Sequence, residues 1–457
     1  MSDIKPTSLN GKTTPSCPAT PPHPLGKLIQ TLKVDEITKK AKTVDQRLEI
    51  DEFQFVASYN WIKGAGSNSE PKIVIPGKPP LWTPHTSQIQ LKTDSGFCPN
   101  DKCASLYPDH PMEPAVAAVL KTDPEAMKQA EVMACNRVLH NLFLLARGEA
   151  SPFRMLVEKV GNTVYLIRRE KCANDGYFPR GYGQGFARTS TTRESDVKGS
   201  ATHQRVIRYR FAGLDMLVRF EADGYTKPES TPPSGNPTKT AGEDDTLDRV
   251  ADLMSETEIP EPQQPQPARS DAVMKPEVIV QSDKEPVPHA RLFDLKTRSA
   301  PKKRGRPRDH VGEQMPRLWI AQIPSVVIAW HYQGLFKPET TFVVDVRERV
   351  KMWEAKNQKG LRKYAALLRW VCEVVGEKGR RVEVVYSVEG EGEGEGDGER
   401  VLEVREWTEE VKRVVSEEVM RELEGGNRRK EEDSLDGEVD FTNCDEDKCG
   451  FCGKCEC

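Results

Sequence analysis

The sequence lacks the features of a membrane protein or a secreted protein. Its 457 residues include no apolar run long enough to span a bilayer. The first residues are rich in Pro and Thr and lack the apolar core of a secretory signal. We therefore expect an intracellular protein whose scattered cysteines, among them Cys98, Cys103, Cys135 and Cys372, are free thiols.

An excess of charge of one sign is also lacking. The 67 Lys and Arg residues nearly balance 71 Asp and Glu residues, which leaves a net charge of −4. A chain without an overall positive field contacts nucleic acid only through local basic segments. Hydrophobic residues make up 36% and charged residues 30% of the chain. This composition is too polar for one compact body, so we expect sizeable disordered segments.

Composition divides the chain into five segments. Residues 1–33, 226–288 and 426–457 are polar, low-complexity or Cys-rich, and we predict that they are disordered. Residues 34–225 and 289–425 carry the apolar patterns, and we predict that they are two parts of one domain. The long insert between them is tolerable because the cost of closing a loop grows only with the logarithm of its length.

Hydrophobic patterning predicts the secondary structure. Apolar residues recur at helical spacing between Pro124 and Gly148, which favours one helix over 124–148. Turn residues predict hairpins at Gly161-Asn162 and at Ala212-Gly213. The later predicted elements are a short helix over 316–324, a strand over 325–331, a long helix over 346–375, a hairpin over 382–406 and a last helix over 407–423. Strands between flanking helices indicate an α+β fold around a mixed central β-sheet.

Two short acidic motifs lie on either side of the insert. Glu221-Ala222-Asp223 and Asp294-Leu295-Lys296 each end a hydrophobic strand. Carboxylates bind hard cations such as Mg²⁺, and a neighbouring lysine can orient water or neutralise phosphate charge. Side-chain alternation would place the outer residues of each triplet on one face. The pair of motifs predicts a metal-dependent phosphodiesterase, although each motif alone also matches charged residues that simply close a strand.

These motifs resemble the PD-(D/E)xK nuclease core and, in particular, the DXO family of decapping exoribonucleases. Other segments follow in the order of that family: a strand over 161–169 that ends at Arg168 and Arg169, the aromatic stretch 181–186, and the helix over 318–324 with Gln322. The resemblance covers about residues 50–225 and 290–425.

The resemblance implies a nuclease-like fold, RNA 5′ ends as the substrate, and Mg²⁺ or Mn²⁺ as the cofactor. It implies that Asp223 and Asp294, with the Leu295 carbonyl, hold the metal. The other implied roles are Glu221 for a water molecule or second ion, Lys296 for the nucleophile, Gln322 for support, and Arg168 and Arg169 for RNA contact.

Two positions depart from the family pattern. Ala187 follows Phe186 where the family has a glutamate that serves as a metal ligand, and His331 stands where the family has an arginine. The missing glutamate puts catalysis in doubt more than it affects the fold, since a fold does not imply a function. A catalytically degenerate relative is therefore included in the first hypothesis.

A basic segment over 302–308 follows the second motif. Arg304, Arg306 and Arg308 belong to an Arg-Gly-Arg-Pro core that resembles an AT-hook, whose arginines enter a narrow A·T minor groove. The segment is equally typical of a nuclear import signal, a grip on RNA phosphates, or a solvated loop. We expect a nuclear or nucleocytoplasmic protein, with DNA as a further candidate partner.

The C-terminus contains closely spaced cysteines, namely Cys444, Cys449, Cys452, Cys455 and Cys457. Cys-x2-Cys spacing is typical of a thiolate zinc site. An iron–sulfur spacing, a redox-active tail and no role at all are the alternatives.

Two other functions are open from the sequence. The first is a non-enzymatic nuclear nucleic-acid-binding protein that uses the basic segment and the Cys tail. The second is a prenyl diphosphate synthase-like enzyme, suggested by the DDxxD match at 244–248, which lacks a second copy and an all-helical context.

Overall fold

The protein is seen in a computed structural model that describes residues 23–39, 47–62, 71–170, 175–227, 275–300, 309–377, 381–389 and 399–423. The strands of these ranges are β1 (Leu28–Lys33), β2 (Ile50–Ile62), β3 (Lys72–Ile75), β4 (Leu81–Trp82), β5 (Ile89–Gln90), β6 (Cys98–Pro99), β7 (Val132–Cys135), β8 (Phe153–Val160), β9 (Thr163–Arg169), β10 (Gly176–Tyr177), β11 (Thr191–Thr192), β12 (Ser200–Phe211), β13 (Leu214–Glu221), β14 (Gly224–Tyr225), β15 (Glu277–Val280), β16 (Leu292–Ser299), β17 (Ser325–Tyr332), β18 (Leu335–Asp345), β19 (Arg381–Glu389) and β20 (Glu399–Arg405).

Helices flank these strands. They are α1 (Val34–Lys39), α2 (Lys102–Leu106), α3 (Glu113–Thr122), α4 (Pro124–Gln129), α5 (Asn136–Arg147), α6 (Gly183–Ser190), α7 (Met315–Ala321), α8 (Arg347–Lys356), α9 (Gln358–Glu377) and α10 (417–423). Among the described helices, none is long and apolar enough to cross a membrane.

Two large mixed sheets and one small ribbon organise the described strands. The first sheet has the order β1-β20-β19-β8-β9-β7-β13-β12-β2-β3-β15, and the second has the order β11-β4-β14-β16-β17-β18-β5. Strands β6 and β10 pair with each other as the ribbon. In the first sheet β7 runs parallel to both β9 and β13, while most other neighbours are antiparallel. Mixed sheets flanked by helices confirm the predicted α+β fold class.

The largest apolar cluster holds the two large sheets together. It contains Val218 of β13 and Ile328 of β17, so side chains of both sheets contribute to it. Aromatic rings of three helices fill its centre, where Phe143 of α5 lies 5.8 Å from Tyr364 of α9 and 6.4 Å from Trp319 of α7, measured between ring centroids. Burying such large side chains contributes roughly 1.5–3 kcal/mol each, so this cluster fixes how the sheets face each other.

The predicted hairpins are confirmed, and their turns explain why. Gly161 joins β8 to β9 with a φ of 57°. Ala212 and Gly213 join β12 to β13 with φ values of 54° and 81°. Two successive positive φ values are the requirement of a type I′ turn, which matches the twist of the strands. The long predicted helix is also present as α8 and α9, and it breaks at Asn357.

The single helix predicted over 124–148 is wrong in its middle. The chain forms α4, then the strand β7, then α5. All four residues of β7 are buried, and the strand lies between β9 and β13 in the first sheet. Burial on both faces of a sheet requires a continuous apolar run, which a helical pattern can hide. The predicted end of the helix is right, because Gly148 caps α5 with a φ of 80°.

The helix predicted over 407–423 is also shorter than expected, since only 417–423 is helical. The preceding peptide runs across the first sheet without regular structure. Two buried carboxylates hold it there: Glu158 accepts from the backbone N–H of Val414 at 2.7 Å, and Glu113 accepts from that of Ser416. In the helix predicted over 407–423, these N–H groups would instead donate to the carbonyls four residues earlier.

Two ordered strands lie inside segments predicted to be disordered. Within 1–33, β1 pairs antiparallel with β20, and within 226–288, β15 pairs parallel with β3. Hydrogen bonds to a neighbouring strand stabilise both β1 and β15, and β15 also contains the β-branched run Val278-Ile279-Val280. These contributions outweigh the polar composition of the surrounding segments. The remaining parts of these predictions, 1–22 and 228–274, and the tail over 426–457 lie outside the described residues.

Candidate functional site

The two acidic motifs meet because the chain crosses from one sheet to the other between them. Strand β13 of the first sheet ends at Glu221, and β14 of the second sheet begins at Gly224. Strand β14 pairs antiparallel with β16, with Gly224 opposite Phe293. In an antiparallel ladder the preceding residue of one strand faces the following residue of the other. This register therefore brings Asp223 to Asp294.

The shortness of β14 leaves part of β16 available. Only Leu292 and Phe293 pair with β14, whereas β17 pairs with β16 from Phe293 to Ser299 on the other side. On the side left open, the backbone N–H of Leu295 donates to Oδ2 of Asp223 at 2.7 Å. The carbonyl of the same residue accepts from Nζ of Lys296 at 3.1 Å. The backbone of Leu295 thus faces the two carboxylates.

A single ammonium group lies near all three predicted ligands of the acidic site. Nζ of Lys296 lies 2.8 Å from Oδ2 of Asp294, 3.1 Å from the carbonyl oxygen of Leu295 and 3.9 Å from Oδ2 of Asp223. The side chain of Asp294 is 8% exposed and that of Asp223 is 35% exposed. Three oxygens of different residues therefore converge around one positive charge.

The electrostatics of the carboxylate pair are those of two like charges in a partly dry site. Burial and the neighbouring Asp294 charge raise the pKa of Asp223 to about 7. Burial would also raise the pKa of Asp294, but the charges of Lys296 and Arg317 hold it below its usual range. Because the two groups share their protons, Asp294 is the ionised member and Asp223 the one that accepts a proton.

The donor set fits a hard divalent cation. Two carboxylates and one carbonyl are oxygen ligands, and Mg²⁺ or Mn²⁺ sites commonly use few protein oxygens together with water and phosphate. The repulsion that raises the pKa of Asp223 is removed when a cation lies between the carboxylates. Among the described residues, no group of three or more His, Cys, Asp and Glu side chains is placed to bind a metal. Any cation here would therefore depend on backbone and substrate oxygens.

The carboxyl ends of three parallel strands add positive charge beside the carboxylates. Strands β9, β7 and β13 end at one edge of the first sheet, where Arg168 is the last residue but one of β9 and Arg137 follows β7 at the start of α5. Arg317 of α7 completes the group, since its charge acts on both Asp294 and Arg137. Ligands of open sheets bind outside the carboxyl ends of parallel strands.

The positive charge of these three arginines exceeds the negative charge of their acidic neighbours. Burial and the charges of Arg168 and Arg317 lower the pKa of Arg137. Burial and the same kind of cationic neighbours, Arg317 and Arg137, lower the pKa of His140 to about 4. Within the described part of the chain, Arg168 is the one member of this group that forms an ion pair, with Glu170. An excess of guanidinium groups at a helix N-terminus is suited to an anion such as phosphate.

Two predicted catalytic residues lie apart from the carboxylate pair in their contacts. Glu221 accepts from Nζ of Lys102 at 2.6 Å. Nε2 of Gln322 donates to the carbonyl of Trp319, and the Gln322 carbonyl accepts from Nε2 of His289 at 2.8 Å. Side-chain alternation was expected to place Glu221 and Asp223 on one face of a strand. It does not apply here because β13 ends at Glu221, before Asp223. Gln322 has a left-handed φ of 50° at the end of α7, and its side chain caps that helix.

Arg168 and Arg169 point to opposite faces of the first sheet. Arg168 lies near Arg137, and its Nη1 donates to the Asn100 carbonyl at 2.7 Å. Arg169 instead forms an ion pair with Glu410 at 3.2 Å, where the C-terminal peptide crosses the other face. Alternation along β9 requires this separation. Of the two, only Arg168 lies beside Arg137 at this edge of the sheet.

Several other predicted residues lie outside the described residues, so they stay predictions. They are Arg304, Arg306 and Arg308 of the basic segment, Cys444, Cys449, Cys452 and Cys455 of the tail, and the DDxxD match at 244–248. Of the other cysteines, Cys98, Cys103, Cys135 and Cys372 are free thiols, as predicted.

The two departures from the family pattern are accounted for by packing. Ala187 is half-buried on α6 and packs with the apolar cluster of Phe186 and Phe293. His331 is 7% exposed, and its ring lies 4.6 Å from that of Tyr182. Burial lowers the pKa of His331, so this side chain is neutral. Neither side chain supplies a charge to the carboxylate pair.

An apolar cavity of about 370 Å³ lies beside α6, lined by residues that include Trp82, Phe186 and Phe336. Phe293 and Leu295 belong to the same cluster as Phe186, whereas Leu292 belongs to the cluster between the sheets. Since side chains alternate along β16, Asp294 and Lys296 face away from this cavity. The cavity is therefore separate from the carboxylate site.

Sequence reasoning missed Arg137, Arg317 and Lys102. Sequence reasoning missed Arg137 because it predicted one continuous helix through β7. Without that strand, the sheet edge beside Arg137 could not be recognised. Arg317 is recognisable only as a helical residue five positions before Gln322. A basic residue two positions after a short buried apolar run was the available signal for Arg137.

Comparisons with known proteins agree with this architecture. A family described as "Domain of unknown function (DUF8563)" matches residues 32–423. A comparison with curated proteins finds no match. Rai1 of Candida albicans, solved in complex with pU5 and Mn²⁺, has a TM-score of 0.52 at 9% identity, covering 87% of this chain and 99% of that chain.

A second solved structure gives the same result. Rai1 of Scheffersomyces stipitis, in complex with 3′-NADP⁺ and a calcium ion, has a TM-score of 0.50 at 11% identity, covering 87% of this chain and 100% of that chain. At this identity the likeness shows the fold, and the expected resemblance to the DXO group is confirmed at that level. Because the family match extends over residues 32–423, the chain belongs to the DUF8563 family, and its fold is that of the Rai1 structures.

Proposed function

We propose that this protein binds the 5′ phosphate end of RNA at the carboxylate site, together with Mg²⁺ or Mn²⁺, and hydrolyses it weakly. The observation that carries the proposal is the convergence of Asp223, at the crossing between the sheets, with Asp294 and Lys296 of β16. Buried like charges are unfavourable unless a cation or a proton lies between them. Binding of a metal and a phosphate gives this arrangement a use.

Each group of the chain has a defined part in this function. Asp223, Asp294 and the Leu295 carbonyl would hold the cation, which would polarise the phosphate. Lys296 contacts Asp294 and is placed to orient water or to neutralise charge on the phosphate. Arg137, Arg168 and Arg317 would bind the phosphates that follow, since guanidinium groups suit phosphate geometry.

The choice of ligand is supported by the solved structure of Candida albicans Rai1, which contains pU5 and Mn²⁺. A 5′-phosphorylated oligouridylate and Mn²⁺ are therefore the first probes for this chain. We would measure Mn²⁺ binding by calorimetry and digestion of 5′-phosphorylated and 5′-triphosphorylated RNA by gel electrophoresis. Asp294→Asn should lose both properties. Metal binding by Asp294→Asn at the affinity of the wild type would refute the proposed site.

Ala187 favours a second function, a binding protein that has lost catalysis. The related nucleases are expected to have a glutamate here, and this chain has a small apolar side chain on the face of α6 that packs against β16. Gly183, one turn earlier on that face, would place a Cβ only 3.5 Å from Oγ1 of Thr297. Ala187→Glu restores the carboxylate that the family resemblance implies, and a relative with an otherwise active site should then show raised Mn²⁺-dependent digestion. If neither protein digests RNA although both bind it, the binding function is the correct one.

The two outlying segments extend the proposal. Arg304, Arg306 and Arg308 support nuclear or nucleocytoplasmic localisation and a contact with nucleic acid, either RNA or DNA. The Cys tail supports binding of about one zinc ion per chain. Metal analysis of the purified protein should find zinc, and truncation after Asn443 should remove it. Equal zinc content in both proteins would refute the assignment.

A further inference from the structure

We propose that the ribbon of β6 and β10 is a stacking platform for the bases of single-stranded RNA whose 5′ end occupies the carboxylate site. This inference rests on the proposed function and adds the part of the substrate that lies beyond the reacting phosphate. We call Phe97, Tyr177 and Phe178, together with β6 and β10, the aromatic ribbon.

The aromatic ribbon presents its rings to solvent. Phe97, Tyr177 and Phe178 are 38%, 57% and 48% exposed. Pairing of Tyr177 with Cys98 holds the two short strands together, and the rings of Phe97 and Phe178 lie 5.6 Å apart, edge to face. A Cβ at Gly176 would lie 2.6 Å from the Phe97 ring, so glycine is needed for this ring to cover the ribbon. The rings of Phe97 and Phe178 thus pair across the two strands, and Tyr177, opposite Cys98, adds a third exposed ring to the ribbon.

The aromatic ribbon adjoins the carboxylate site through Lys102. Helix α2 follows β6 directly, and Nζ of Lys102 donates to Glu221, two residues before Asp223. Burial opposes the charge of Lys102, but the carboxylates of Glu221 and Asp223 raise its pKa, and Cys98 of the ribbon contributes to the same shift. The ammonium of Lys102 therefore lies between the ribbon and Asp223.

A second contact joins the aromatic ribbon to the arginines. Nη1 of Arg168 donates to the carbonyl of Asn100, the residue after β6. The backbone N–H of Asn100 donates to the carbonyl of Asp175, just before β10. One end of the ribbon is thus tied to the side chain that lies beside Arg137 and Arg317. The aromatic ribbon is therefore continuous with the positively charged edge of the first sheet. This continuity distinguishes it from exposed rings that are scattered over a surface.

Single-stranded nucleic acid is the occupant that matches both properties. Proteins that bind it combine a positively charged path for the phosphates with aromatic side chains on which bases stack. Here Lys102 and Arg168 flank the exposed rings, and the carboxylates with their cation would hold the 5′ end. Double-stranded RNA would keep its bases paired and unavailable for stacking. The ribbon therefore selects unpaired 5′ ends.

The test distinguishes the contribution of the bases to binding from the contribution of the phosphates. The probes are a 5′-phosphorylated decaadenylate and a 5′-phosphorylated abasic decamer, each with a 3′ fluorophore, bound to the full chain in Ca²⁺ and followed by anisotropy. The variants are Tyr177→Ala with Phe178→Ala, and Tyr177→Phe with Phe178→Tyr. Phe342→Ala is the matched control, since Phe342 of β18 is 51% exposed.

The wild type should bind the decaadenylate at least tenfold more tightly than the abasic decamer, from about 1–3 kcal/mol per stacked base. The double alanine variant should lose this difference, bind the abasic decamer as the wild type does, and keep its metal affinity. The aromatic exchange and Phe342→Ala should retain it.

Each contrary result overturns a different statement. Equal binding of both decamers by the wild type, or decaadenylate binding unchanged in the double alanine variant, overturns the stacking platform and leaves the proposed function standing. If the wild type binds neither decamer, the proposed function itself is overturned. A changed oligomeric state of the double alanine variant in light scattering, with its RNA affinity unchanged, makes the ribbon a protein-contact surface and overturns the RNA assignment.

Discussion

Two groups of carboxylates lie beside the first sheet, and their surroundings differ. On the face crossed by the C-terminal peptide, Glu158 accepts from Nε of Arg413 at 2.9 Å and from the Val414 N–H at 2.7 Å, and Glu383 accepts two bonds from Arg154. At the crossing between the sheets, Asp223 and Asp294 repel each other around a single lysine. The first group is paired within its own chain, whereas the two carboxylates of the second share one lysine, and their mutual repulsion is relieved when a cation binds.

This difference teaches how to tell structural acids from functional acids in one fold. A carboxylate whose hydrogen bonds are complete contributes to stability, and removing it leaves buried donors unpaired. A carboxylate whose pKa is raised by another carboxylate is a source of local instability that binding relieves. The following four predictions test this comparison, from the largest expected effect to the smallest.

Removal of a structural acid should cost the most stability. Glu158 is fully buried, and Glu158→Gln would leave Arg413 without its charged partner. We expect the free energy of unfolding to fall by about 3 kcal/mol, as for other broken buried pairs. Urea denaturation followed by circular dichroism measures this loss, and Mn²⁺ affinity should stay unchanged at temperatures where the variant is folded. A loss below about 0.5 kcal/mol would remove the distinction between the two faces.

Removal of a functional acid should have the opposite profile. Asp294→Asn is expected to lower Mn²⁺ affinity at least about tenfold, because one of two charged ligands is lost. The unfolding free energy without metal should change by less than about 1 kcal/mol. Calorimetry and denaturation of the same samples give both numbers. A stability loss as large as that of Glu158→Gln would make Asp294 a structural residue.

The stability of the metal-free protein should reveal the raised pKa of Asp223. A carboxyl with a pKa raised to about 7 in the folded state contributes stability that is present below pH 4 and is lost as the pH rises through 7. Asp223→Asn abolishes this loss. Because the side chain is 35% exposed, water screens the effect, and we expect a gain of about 1 kcal/mol at pH 8 and none at pH 4.

Melting in EDTA at both pH values measures this gain. With saturating Mn²⁺ the order should reverse, since the wild type binds the ion more tightly and is stabilised by mass action. A variant that is equally stable at both pH values, relative to the wild type, would contradict the raised pKa.

The smallest expected effect separates two adjacent arginines. Arg168→Ala should weaken binding of a 5′-phosphorylated RNA several-fold, by about 1 kcal/mol, and reduce the salt dependence of binding. Arg169→Ala should leave RNA affinity unchanged, because Arg169 faces Glu410 on the other side of the sheet. Anisotropy titrations at two salt concentrations test both variants. Equal losses would mean that the face of Arg169 also contacts RNA.

Local chemistry explains which parts of this structure could be predicted from the sequence. The hairpins depend on turn residues such as Gly161 and Gly213, and Gly148 marks the end of α5, so these positions are readable one segment at a time. The convergence of Asp223 with Asp294 was also predictable, since each follows an apolar run.

Features that depend on distant packing were not predictable. Strand β7 is a strand because β9 and β13 enclose it, and without that strand the arginine cluster has no visible origin. Side-chain alternation holds within one strand only, so it could not show that the chain changes sheets between Glu221 and Asp223. The C-terminal peptide follows buried acids that lie hundreds of residues away in sequence, such as Glu158.

The passage from one sheet to the other within two residues has a mechanical consequence. Asp223 is tied by its own backbone to β13 and by a hydrogen bond to Leu295 of β16, so it spans the joint between the sheets. Any sliding of one sheet over the other would strain this short crossing directly, with no flexible loop to absorb it. The aromatic core between the sheets holds their alignment. It therefore helps to fix the position of Asp223 at the site, although the core itself lies at a distance from the carboxylates.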